Sequence, residues 1–152
     1  MLVQGKSEIQ SMGLSELRMI GAMAYWAEGS KTLDSVVKFT NTDPDLILLM
    51  VRWLREVCNV PRDKLRLHIR LHPGEDAAGV ERMWSAVTGI PRDQFYRTTL
   101  KKSESGGKTK RKIRWGIVSI IVCDTKLFYR IKGWINALKD SFVPANRLTG
   151  LQ

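Results

Sequence analysis

Lys64-Leu65-Arg66-Leu67-His68-Ile69-Arg70-Leu71-His72 alternates without a break. Leu65, Leu67, Ile69 and Leu71 occupy the odd positions, while Lys64, Arg66, His68, Arg70 and His72 occupy the even ones. Successive side chains of a strand point to opposite faces, so the stretch predicts a strand with one core face and one basic face. A solvated sheet face ordinarily mixes charges of both signs. A basic stripe with no acid in it points instead to a polyanionic partner.

Working toward the C-terminus, Pro73-Gly74-Glu75-Asp76 caps a helix over 77–88, with Val80, Met83, Trp84 and Val87 on its apolar side and Gly89 as its stop. Ile90-Pro91-Arg92-Asp93 then turns the chain into a further strand, about 95–101, whose polar side carries Arg97, Thr99 and Lys101. Residues 102–112 read as a hinge or hairpin loop rich in Ser, Gly and Lys, in which Lys108, Lys110, Arg111 and Lys112 extend the positive charge. The run over 113–122 is nearly continuously apolar after Arg114 and belongs in the middle of a sheet. A helix over 125–139 closes the pattern, with Leu127, Phe128, Ile131, Trp134, Ile135 and Leu138 on one stripe.

Toward the N-terminus, Asn59–Asp63 is a turn, and Thr42-Asp43-Pro44-Asp45 opens a helix that runs to about Cys58. A strand over 36–41 includes Lys38. Before it lies a helix from about Leu14, with Ser15 as its N-cap and Gly29 ending it in left-handed backbone. The order is helix, strand, helix, strand, helix, strand, strand, helix. It predicts an α+β fold with a mixed sheet, helices on one face and a basic groove-facing surface on the other. Residues 1–13 read as a lead-in, 14–139 as one domain and 140–152 as a tail.

Composition agrees with a single globular unit. The chain has 152 residues, 43% of them hydrophobic, enough for one core. No run reaches the roughly 18 apolar residues of a membrane span, and no apolar signal core lies near the start, so a cytoplasmic protein is expected. Cys58 and Cys123 have no metal-type spacing and read as reduced packing residues. With 25 Lys plus Arg against 15 Asp plus Glu, the formal charge is +10, which suits nucleic acid as the partner.

One acid stands out. Gly21-Ala22-Met23-Ala24-Tyr25-Trp26-Ala27-Glu28-Gly29-Ser30 predicts a helix that ends in a carboxylate. The partial negative charge of a helix C-terminus disfavours an acid there by up to about 1 kcal/mol. Something else should therefore hold or use Glu28, and a divalent cation would do so.

Ala22 and Ala27-Glu28-Gly29-Ser30 resemble the motif that names the LAGLIDADG homing endonuclease family. Tyr25-Trp26-Ala27-Glu28-Gly29-Ser30-Lys31, Asn41-Thr42-Asp43-Pro44, Leu67-His68-Ile69-Arg70-Leu71-His72, and Trp84 with Thr88-Gly89-Ile90 resemble bacterial LAGLIDADG-like proteins over about residues 14–139. Met23 stands where the family has its central glycine, and Trp26 where it has its first acid. Gly21 and Ala24 are an alternative small-residue face for helix pairing.

The resemblance implies a LAGLIDADG-like saddle-shaped sheet in the major groove of double-stranded DNA and a homodimer through the first helix, since one motif per chain serves one strand. It further implies Mg²⁺ (or Mn²⁺) held by Glu28 with the main-chain carbonyl of Gly29 or Ala27, and a metal-activated water attacking in line. Lys31, Lys112 and Arg114 would stabilise phosphate. Lys38, Lys64, Arg66, His68, Arg70, His72, Arg97, Thr99, Lys101, Lys108, Lys110 and Arg111 would contact DNA. A site-specific endonuclease is the leading expectation, and a non-catalytic DNA-binding regulator or maturase-like protein on the same fold is the alternative.

Overall fold

The computed structural model describes residues 6, 7, 9, 11–100 and 115–143. Helix α1 spans Leu14–Glu28, strand β1 Val36–Asn41, α2 Pro44–Glu56, β2 Arg66–Leu71, α3 Ala77–Thr88, β3 Thr99–Leu100, β4 Ile117–Cys123 and α4 Thr125–Phe142. The fold is α+β, and its sheet is mixed. The order across it is β1-β4-β2-β3, with β4 antiparallel to both neighbours and β3 parallel to β2.

Strand β4 is central because nothing in it needs water. Val118, Ile120 and Val122 are buried on one side, while Ser119, on the other, shares a 2.8 Å hydrogen bond with Thr40 across the β1 pairing. Leu65, Leu67, Ile69 and Leu71 of the alternating stretch join Val37 and Phe39 in the same core. The buried faces of the helices close over them through Ile47, Met50, Trp53 and Leu54 from α2 and Leu127, Phe128 and Ile131 from α4.

Helix starts are fixed by side chains. Asp43 accepts from Asp45 N at 2.9 Å ahead of Pro44, Asp76 from Gly79 N at 3.0 Å, and Asp124 from Leu127 N at 2.8 Å. The N-cap of α1 lies two residues before the expected Ser15: Gly13 is the cap, and its N–H donates to the Glu16 carboxylate at 2.8 Å. At the far end of α3, Gly89 takes left-handed backbone, and the Arg55 guanidinium donates to the Thr88 carbonyl at 2.8 Å.

Three further expectations are corrected. Lys64 lies in a 3-10 turn, Arg62–Lys64, ahead of β2, and His72 lies past its end, where the Glu75 carboxylate takes its backbone N–H at 2.9 Å. The strand expected over 95–101 is reduced to Thr99–Leu100 plus one bridge between Phe95 and Leu67, so Arg97 is exposed outside any strand. Helix α4 continues to Phe142, beyond the expected limit at 139. The loop cations Lys101, Lys108, Lys110, Arg111, Lys112 and Arg114 lie outside the described residues.

Gly21 is committed within the chain and is not free for pairing with a second copy. A Cβ there would sit 2.2 Å from Cδ1 of the fully buried Trp53, so α1 rests directly on that indole. Tyr25, one turn on, stacks on the same ring with centroids 6.5 Å apart.

Two glycine replacements have opposite expected signs. In a free helix, Ala is favoured over Gly by about 1 kcal/mol, and Gly133 in α4 has open space around it. Gly133→Ala should therefore raise the urea midpoint. Gly21→Ala gains the same propensity, but overpacking costs about 1–3 kcal/mol, and at 2.2 Å from Trp53 that cost wins and the midpoint falls. Equal shifts in the two variants would mean that α1 does not meet Trp53 here.

Candidate nucleic-acid interface

The alternation of β2 turns its even positions away from the core. Residue pairing then brings the cations of neighbouring strands together. Lys38 of β1 and Arg66 of β2 flank Ile121 of β4, Thr40 and His68 flank Ser119, and Arg70 pairs with Ile117 on one side and Thr99 on the other. Lys38, Arg66, His68, Arg70 and Thr99 thus share the outer sheet face, and no carboxylate belongs to the strand positions on it. At standard strand spacings the cations span roughly 10 Å across the strands and roughly 13 Å along β2.

Each cation is held differently. The Arg66 guanidinium donates to the carbonyls of Asp63 at 2.6 Å and Leu65 at 3.1 Å, which anchors it over the turn and leaves its other donors outward. His68 Nε2 lies 3.1 Å from Thr99 Oγ1. Its pKa is lowered from 6.5 by burial, then by the positive charges of Lys38 and Arg70. Lys38 on β1 and Arg70 on β2 thus both act on His68, the first from across β4. Arg70 is exposed.

Glu28 is the last residue of α1 and is exposed. The chain leaves the helix directly onto the edge of the sheet: Gly29 bridges Phe39, and Ser30 N donates to the Lys38 carbonyl at 2.8 Å. The helix end is therefore one strand spacing, about 5 Å, from β1. Gly29 is extended, with φ −72° and ψ 149°, in place of the expected left-handed stop. Glycine is needed there for space, since a Cβ would lie 2.4 Å from the Tyr25 carbonyl oxygen and 2.6 Å from its ring.

Glu28 makes no hydrogen bond or ion pair among the described residues. Nor do three His, Cys, Asp or Glu side chains come together among them as a metal site. Mg²⁺ prefers several hard oxygen ligands, and among the described residues Glu28 belongs to no cluster of three such side chains. It does not by itself fit a divalent cation.

Lys31, in the loop after α1, lines a cavity between α1 and α4 that is separate from the sheet face. Lys132 and Lys139 line the same cavity, and in the sequence, one at a time, they look like ordinary solvated helix positions. The outer side of α1 is also apolar. There Met19, Ile20 and Met23 are 45%, 36% and 47% exposed, and they share a helical face with Ala27. No helix among the described residues is long and apolar enough to cross a membrane.

No family model matches the chain, and no curated protein or solved structure matches it either.

The His68 shift gives a signed pH dependence. The unfolded chain takes a proton on His68 near pH 6.5, and the folded protein only at lower pH. Stability contributed by the neutral ring is thus present above 6.5 and lost as pH falls through 6.5 toward the folded value. Histidine ¹H–¹⁵N titration should find His68 below its ordinary pKa, and Lys38→Gln should raise it. An unchanged value in Lys38→Gln would separate the two side chains.

Proposed function

We propose that this protein binds duplex DNA through the uncovered face of its sheet. The observation that carries the reading is the patch of Lys38, Arg66, His68 and Arg70, shared by one sheet face with no strand carboxylate among them. Its extent of roughly 10 by 13 Å is the scale of a B-form major groove about 12 Å wide. The deep, narrow major groove of A-form RNA would not admit it, which favours DNA. Lysine supplies phosphate attraction, and Arg70, exposed and flanked by Thr99, has the planar donors suited to guanine. The reading assumes a cytoplasmic protein, a setting that suits the free thiols Cys58 and Cys123.

A metal-dependent endonuclease on the same fold is the second reading, and one observation favours it. The outer face of α1 is apolar and uncovered along Met19, Ile20, Met23 and Ala27, and Glu28 follows directly at its end. Two copies paired through that face would bury it and bring two Glu28 residues near one another, as the family resemblance implies. A shared Mg²⁺ or Mn²⁺ site would then need the carboxylates of both copies, and Lys31 would be the nearby cation available to phosphate.

Binding measured by fluorescence anisotropy should fall steeply with salt, with a slope of about −0.9 per neutralised phosphate. Arg70→Gln should flatten that slope by about one, while Arg52→Gln, on the helical side, should leave it unchanged. A slope unaffected by Arg70→Gln would remove the sheet face from the interface. For cleavage, protein with Mg²⁺ and duplex carrying the flanks of its own coding region should yield a defined cut. Glu28→Gln should abolish the cut and keep binding; cutting that survives it would eliminate Glu28 as the metal ligand.

A further inference from the structure

Between the C-terminal half of α1 and α4 lies a cavity of about 250 Å³. Tyr25, Trp26 and Phe128 contribute aromatic surface to it, and Lys31, Lys132 and Lys139 surround it. No acid lines it, and none of the three lysines forms an ion pair among the described residues.

The arrangement follows from helix spacing. Phe128, Lys132 and Lys139 recur at four- and seven-residue intervals on one side of α4, the side that meets the end of α1. The lysines are also positioned. The Lys139 ammonium lies 5.1 Å from the centroid of the Trp26 ring, and that of Lys132 lies 5.9 Å from Phe128 and 5.7 Å from Tyr129. Ring contact of this kind restrains a long side chain in advance of any ligand. Three like charges drawn around one opening repel each other, and an anion in the opening relieves that repulsion. An inorganic anion would use the ammonium groups alone. A planar ring carrying a phosphate would use the aromatic surface as well, by stacking of the kind that holds single nucleotides on proteins.

We propose that this cavity binds a nucleoside monophosphate unit, with the base against Trp26 and the phosphate among Lys31, Lys132 and Lys139. The inference stands apart from duplex binding. Its residues lie on α1, α4 and the loop after α1, whereas the cationic patch lies on the outer face of the sheet. Two sources share this chemistry: a free nucleotide, and the 5′-phosphorylated end of a strand.

The test is calorimetric titration of the full chain with deoxyadenosine 5′-monophosphate, with deoxyadenosine, with inorganic phosphate, and with a trinucleotide bearing a 5′-phosphate. The monophosphate or the phosphorylated trinucleotide should bind at least roughly tenfold more tightly than nucleoside or phosphate alone, and stacking is large enough to supply that factor. A tighter trinucleotide assigns the source to a strand end, and equal affinity assigns it to the free nucleotide. Lys132→Gln combined with Lys139→Gln should weaken binding by roughly tenfold or more. Lys126→Gln, in a separate cavity lined by Cys58, Asp124 and Leu127 near the start of α4, should leave it unchanged. Absence of nucleotide binding, binding no tighter than that of inorganic phosphate, or full binding by the double variant while its circular dichroism matches the wild type would each overturn the proposal.

Discussion

Burial of Leu67, Ile69 and Leu71 on one side of β2, with Leu65 just ahead of it, is the constraint on which the remaining architecture depends. These side chains are at most 1% exposed, and each is worth about 1.5–3 kcal/mol when fully removed from water. A slip of one residue would send all of them to solvent and bring Arg66, His68 and Arg70 into the core, a change no compensating contact could offset. The register with β4 is thereby fixed, and β4 in turn fixes β1. The outward direction of the cations is a consequence of hydrophobic burial, so the charged face needs no separate cause.

The helical layer is organised around a second buried object, the Trp53 indole. Gly21 lets α1 lie against it, Tyr25 stacks on it, and Trp134 of α4 meets it edge-on at 6.0 Å. This three-helix contact determines where α1 ends, and Gly29 and Ser30 then tie that end to β1. Glu28 at the sheet edge and the lysine-rimmed cavity behind it both follow from how α1 is seated. Packing in the helical layer and chemistry at the sheet edge are two results of one arrangement.

Much of this was legible in the sequence. Strand β1, helix α3 and the start of α2 fall where their patterns put them, because alternation, Asp-Pro and Gly89 are local signals. The α+β class and the central position of β4 followed from the same patterns. The basic patch was readable in β2, but its reach to Lys38 across β4 needed the pairing register. Lys64 and His72 dropped out because turns at Pro61 and Pro73 end the strand inside the alternation. The segment from Phe95 keeps only part of its pairing, as Tyr96 N donates to the Leu67 carbonyl while Thr98 turns to Glu81 at 2.6 Å. The role of Gly21 could not be read locally, since its partner Trp53 is remote in sequence, and the lysine cavity likewise depends on two helices meeting.

The central claim is that the outer sheet face is the surface that meets DNA. Hydroxyl-radical footprinting of side chains, with and without a duplex, tests it most directly. Contact through that face predicts protection of His68, Ile117 and Ile121, with Tyr129 and Phe142 on α4 reacting at unchanged rates. Protection confined to α4, with His68 and Ile121 reacting as in the free protein, would contradict the account.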